Sequence, residues 1–177
     1  ELGVGSVPAT VYDHDLAQGR SELQKIEKVL GGFDTANYRT AFIRAPARDG
    51  TQIPVSIAWR KSTPIDGTAP LLLYGYGSYG LSEDPEFHSD WVSLLDRGFV
   101  VAIAHVRGGQ ELGREWYEDG RQLRKKNTFT DFIDVTDYLV KQGYAAPDRV
   151  AAHGGSAGGL LMGAIANMAP DKYKVIL

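Results

Sequence analysis

The sequence of 177 residues has no cysteine and only two methionines. A disulfide frame, a Cys-ligated zinc site and a thiol nucleophile are therefore all excluded. Positive charge is not in excess either. Nineteen Lys and Arg stand against 22 Asp and Glu, a formal net charge of −3. That excludes a nucleic-acid binder relying on overall basicity. No apolar run approaches the roughly 18 residues of a membrane span. With 43% hydrophobic and 23% charged residues, the chain matches ordinary globular usage and is neither disordered nor collagenous.

What is abundant is glycine, 21 residues, where average usage is about 7%. Ten of them fall in three short segments: Gly75, Gly77 and Gly80; Gly108, Gly109 and Gly113; Gly154, Gly155, Gly158 and Gly159. Clustered glycine marks tight turns or close backbone approach at particular places. The ends are also distinctive. The chain starts at Glu1 without Met or a signal-peptide pattern, and 174–177 reads as a strand just beginning. Both ends are expected to be cut from a longer chain.

Residues 1–32 form a segment of their own, with an alternating strand at Thr10–Asp15 and a polar stretch from Ser21 to Leu30 closed by Gly31-Gly32. They are too few to hold a core and read as the tail of a preceding domain with a linker. From Phe33 the pattern is regular. Strands are expected at Tyr38–Ala45 and Gln52–Lys61, joined through Asp49-Gly50. Further strands are expected at Pro70–Tyr76, Phe99–Val106 and Asp148–His153. Helices are expected at Ser89–Asp96, Thr128–Gln142 and Ala157–Ala169. Thr128 with Asp131 resembles a capping box, and Gly143 supplies a stop. Alternating strands and helices imply a parallel sheet covered on both faces.

Gly154-Gly155-Ser156-Ala157-Gly158 fits G-x-S-x-G between an expected strand and an expected helix, the context of a nucleophile elbow. The serine must occupy a strained turn to project its hydroxyl, and the residues two before and two after must be small. The helix N-terminus then favours negative charge at the site, with the Ala157 N–H as an oxyanion donor. The other reading is a glycine-rich turn opening a helix, as at phosphate sites. A P-loop is excluded because no Gly-Lys-Ser/Thr follows. A dinucleotide fingerprint belongs to an early strand, and this segment comes late. A second constellation, Tyr74–Gly80, lies at the end of an expected strand. A phenol there can donate to a developing oxyanion, or simply pack.

Five segments occur in one order: Tyr74–Gly80, His105–Gly113, Glu115–Gly120, Lys125–Phe129 and Gly154–Gly159. Together they resemble the prolyl oligopeptidase family of serine peptidases, within it the oligopeptidase B branch, over nearly the whole chain. The resemblance implies a partial α/β-hydrolase fold at 33–177, with residues 1–32 as the last β-propeller strand and linker. It implies Ser156 as nucleophile, and Tyr76 completing an oxyanion hole with the Ala157 N–H. Asp84 and Glu86 match an acidic pair that helps hold a basic substrate side chain, although a solvated acidic loop is the other reading. Gln110 departs from the family, which has a third glycine there. No cofactor, metal, nucleic acid or membrane is implied, and the family setting is cytoplasmic. The implied substrates are short basic peptides cleaved after Arg or Lys.

The triad order in this fold is Ser, then Asp or Glu, then His. All four histidines (His14, His88, His105 and His153) precede Ser156, and 157–177 contains Asp171 but no histidine. His105 reads as a packed or hydrogen-bonded histidine, and His153 sits too close in the elbow strand. The general base and triad acid are therefore expected from the remainder of the polypeptide or a complementary chain. Without them an oxyanion hole and binding groups leave roughly 10³–10⁴ over water. An esterase, an acylaminoacyl-peptidase and a non-catalytic fragment remain as alternatives. Arg121, Arg124, Lys125 and Lys126 read as a solvated basic loop.

Overall fold

A computed structural model describes residues 8–84, 86 and 88–177. Residues 1–7 of the expected N-terminal segment, and Pro85 and Phe87 of the acidic loop, lie outside them. Two strands, β1 (Thr10–Asp15) and β2 (Arg20–Ile26), pair antiparallel as a separate hairpin. The second had no distinct signal in the sequence: every residue of β2 is exposed, so no burial alternation marks it.

The remaining strands make one six-stranded sheet in the order β3-β4-β6-β5-β7-β8. They are β3 (Tyr38–Pro46), β4 (Gln52–Arg60), β5 (Leu71–Gly75), β6 (Val100–Ala104), β7 (Val150–His153) and β8 (Val175–Ile176). The first two form the expected hairpin, with Pro46 opposite Gln52 across the Asp49-Gly50 turn. β4 pairs antiparallel with β6, and the pairings β6–β5, β5–β7 and β7–β8 are parallel. Among the described residues the α-helices are α1 (Ser89–Asp96), α2 (Arg114–Glu118), α3 (Lys126–Lys141) and α4 (Ala157–Met168).

β6 is buried along its full length, Val100 to Ala104, which is why it reads as a continuous apolar run. On one face, Ile53, Val55, Ile57, Leu71 and Leu73 pack with Phe132, Val135 and Leu139 of α3 and Leu161 and Ile165 of α4. On the other face a smaller cluster joins Leu72 and Val101 to Leu95 of α1. Removing a side chain such as Phe132, fully buried in the larger cluster, would cost about 3–5 kcal/mol. None of the helices among the described residues is long and apolar enough to cross a membrane.

The expected capping box does not form. α3 begins at Lys126, two residues before Thr128, so neither partner sits at its end. Thr128 Oγ1 instead donates to the carbonyls of Arg107 (2.6 Å) and Gly120 (3.2 Å). Asp131 accepts from the Arg107 backbone N–H (3.1 Å) and from its guanidinium at 2.8 and 2.5 Å. These residues tie α3 to the loop after β6. The tertiary partners outcompete a local cap because both side chains are buried.

Candidate active site

The loop from β7 into α4 carries Ser156 in a conformation that L-residues rarely adopt, φ 55° and ψ −117°. The surrounding glycines explain why the turn closes so tightly. A Cβ on Gly154 would lie 2.7 Å from the Gly158 carbonyl oxygen and 2.8 Å from that of Gly75. One on Gly158 would also lie 2.8 Å from the Gly75 oxygen. The elbow is thus pressed onto the end of β5, and only hydrogen fits at these two positions. Gly155, by contrast, faces open space. Ser156 is exposed and its hydroxyl does not cap α4. It is held at the helix N-terminus, where backbone N–H groups favour developing negative charge.

Ser156 and Ala157 line a cavity of about 610 Å³. Its other walls come from Ser78 and Tyr79 after β5, from Tyr117 of α2, from Arg121 and Lys125 between α2 and α3, and from Leu160 of α4. Tyr76 lies at the back of the elbow: a Cβ on Gly158 would be 3.6 Å from both its Cα and Cδ2. The tyrosine therefore packs on the first turn of α4.

The loop after Tyr76 is fixed from below. Gly77 has φ +65°, and a Cβ there would meet Thr128 Cγ2 at 2.5 Å and Val106 Cγ2 at 2.6 Å. Lys125 Nζ donates to the Gly77 carbonyl at 2.5 Å and to Ser78 Oγ at 2.7 Å. Burial pushes this ammonium down to about 8. Of the basic run read as a solvated loop, Arg121, Arg124 and Lys126 do stay at the surface, and only Lys125 departs from that reading. Arg121 pairs with Glu118 at 2.5 Å and lies over the Tyr117 ring, and Arg124 pairs with Asp119. Lys125 turns inward. The charge run alone carried no signal for that, because burial depends on the glycine loop above it.

Asp84 does not share this cavity. It lines a separate recess of about 220 Å³ with Glu83, Glu111, His105, Ser56 and Phe42. Burial, and next the charge of Glu111, push the Glu83 carboxyl above its ordinary range. Glu111 Oε1 accepts from the Glu83 backbone N–H at 3.1 Å. Glu86 is exposed. Glu83 and Glu111 were not singled out in the sequence; the acidic character of the recess arises only when the loops after β5 and β6 meet.

Each histidine is engaged elsewhere. The His105 ring shares a hydrogen bond with Ser56 Oγ at 2.7 Å and is buried, as expected. His14 bonds Ser21 across the hairpin, His88 stacks on Trp91 and His153 packs against Tyr74. Gln110 lies over Gly80, where a Cβ would come within 2.9 Å of its Oε1. No group of His, Asp and Glu among the described residues has the geometry to hold a metal.

Comparison with known proteins gives a consistent result. The profile of the prolyl oligopeptidase family matches residues 85–177. Dipeptidyl aminopeptidase BI of Pseudoxanthomonas mexicana is 61% identical over 97% of the chain and 24% of its own length. Oligopeptidase B from Leishmania major superposes with a TM-score of 0.92 and 46% identity, over 98% of this chain and 24% of that one. Oligopeptidase B from Trypanosoma brucei, in a closed form with covalently bound antipain, gives 0.92 and 44% identity over 98% and 25%. The chain spans about a quarter of the length of the curated relatives it matches.

Proposed function

Since the chain belongs to the prolyl oligopeptidase family, we propose that Ser156 is the nucleophile of a serine peptidase that cleaves short peptides after Arg or Lys. The observation that carries this reading is the Ser156 elbow, strained and clamped between two glycines against β5. In this mechanism Ser156 Oγ attacks the scissile carbonyl carbon and a histidine base takes its proton. The oxyanion is met by the Ala157 N–H and the Tyr76 hydroxyl. The amine leaves with that proton, and water then releases the acyl group. The base and its orienting acid lie outside these 177 residues, a reading supported by the engagement of all four histidines elsewhere. Asp84 and Glu86, joined by Glu83 and Glu111, supply the acidic surface for a basic side chain. Glu83, Asp84 and Glu111 have no Lys or Arg ion pair among the described residues.

The test is product analysis by the natural polypeptide that contains these residues. A peptide with an internal Arg and a blocked N-terminus should be cut after Arg, and Ser156→Ala should lower kcat by about 10⁴–10⁶. Retained hydrolysis in Ser156→Ala would overturn the assignment. A second reading is favoured by the 61% identical relative, named as a dipeptidyl aminopeptidase: release of dipeptides from free N-termini. Cleavage of a free but not a blocked peptide would select it.

A further inference from the structure

We propose that Lys125 is a positioning residue for Tyr76: its ammonium fixes the turn that holds the phenol beside the Ser156 elbow. The inference rests on the serine-peptidase reading above and adds a residue to it. Lys125 reaches across from the start of α3 and donates to two consecutive residues of the turn, the Gly77 carbonyl and Ser78 Oγ. Gly77 is already wedged between Thr128 and Val106. The Gly80 N–H donates to the Gly108 carbonyl at 3.0 Å and closes the other end of the turn. Tyr76 precedes these anchors directly and packs on Gly158 at the first turn of α4. Its ring position relative to Ser156 is thus set by how Gly77 is held.

The ammonium is an unusual tie. It has no carboxylate partner among the described residues, and burial alone pulls its proton affinity down to about 8 from 10.5. The titratable and charged groups sharing its cavity are Tyr79 on the turn, and Tyr117 and Arg121 opposite; none is a carboxylate. Withdrawing an unpaired ammonium partly from water has a cost, and the two hydrogen bonds to one turn offset it here. Once Lys125 loses its proton, a bond to the Gly77 carbonyl is no longer charge-assisted. The turn is then held more loosely and the phenol loses its fixed place.

The experiment is a double-mutant cycle in the natural polypeptide, with Lys125→Met and Tyr76→Phe singly and together. Lys125→Met should lower kcat by roughly 10–100-fold, as expected for a misplaced oxyanion donor, with KM within about threefold. In the Tyr76→Phe background the same change should cost under about threefold, because the group it positions is already gone. Undiminished loss in that background, or an effect on KM alone, overturns the proposal. Lys125→Arg keeps a donor and a charge that does not titrate. It should remove a fall in kcat that begins near pH 8 in the parent, and an unchanged alkaline limb counts against the proposal. If both Lys125 variants lose the native fold, the role is structural and the inference fails. Ser156→Ala keeps the two levels apart: if it stays active, the peptidase reading falls. If it is inactive while the cycle is additive, only the role of Lys125 falls.

Discussion

Ser156 sits at φ 55° and ψ −117°, a backbone state that costs an L-residue of order 1–3 kcal/mol. Its neighbours impose that cost, and they differ sharply from one another. Gly154→Ala and Gly158→Ala would each press a methyl against a backbone carbonyl at 2.7–2.8 Å. Carbonyls cannot step aside as flexible side chains can. Each substitution should therefore destabilise by about 1–3 kcal/mol and displace the serine. Gly155→Ala meets nothing within 4 Å and should leave the melting temperature within about 2 °C of the parent. Thermal unfolding of the three variants checks the contrast. Equal losses at all three positions would show that glycine serves the turn through flexibility rather than through close approach.

At the scale of elements, α3 is the strut on which the site loops hang. Its buried face carries Phe132, Val135 and Leu139 into the core, and its polar buried residues, Thr128 and Asp131, hold the loop after β6. Asp131 is fully buried against Arg107, whose side chain is only 7% exposed. Arg107 also meets Asp49 at 2.7 Å. The two carboxylates, Asp131 foremost, hold the guanidinium far above its ordinary range, while burial pushes the Asp131 carboxyl up. Asp131→Asn leaves a buried cation short of its main partner and should cost about 3–5 kcal/mol. The Arg114–Glu118 pair on α2 has the same chemistry with the arginine side chain 68% exposed. Glu118→Gln, which removes its pairs with both Arg114 and Arg121, should leave the urea midpoint close to that of the parent, because solvent screens exposed pairs. Urea titrations of both variants would separate these magnitudes, and similar losses would contradict the burial argument.

The whole molecule divides into a well-packed sheet and a thin hairpin. The six-stranded sheet has helices on both faces and a core of fully buried aliphatic side chains. The β1–β2 pair contributes no buried residue, and its Val11, Tyr12, Leu23 and Ile26 are about half exposed. Two strands without a packed face are marginal on their own. In the 177-residue chain the amides of Thr10–Ile26 should exchange with solvent far faster than those of Val100–Ala104, which exchange through near-global opening. Hydrogen–deuterium exchange read by mass spectrometry tests this. Equal protection would mean that the hairpin has a packing partner.

Some of this was determined by sequence alone, for physical reasons. Periodicity placed the strands from β3 to β7 and helices α1, α3 and α4 because one or both faces of each are buried, and burial writes itself into residue choice. The elbow was legible because its steric demands fall within five residues: Gly154, Ser156 and Gly158 stand together in one short motif between a strand and a helix. His105 was readable as a packed residue from its place at a strand end. The start of α3, the work of Thr128 and Asp131, the inward turn of Lys125 and the meeting of Glu83, Asp84 and Glu111 were not legible. Each depends on chain segments far apart in sequence. A lysine in a basic run and a threonine near a helix start carry the same letters in solvent or in a core. Only the packing of the loop after β6 against α3 and the turn after β5 decided which of them would be buried, and against what.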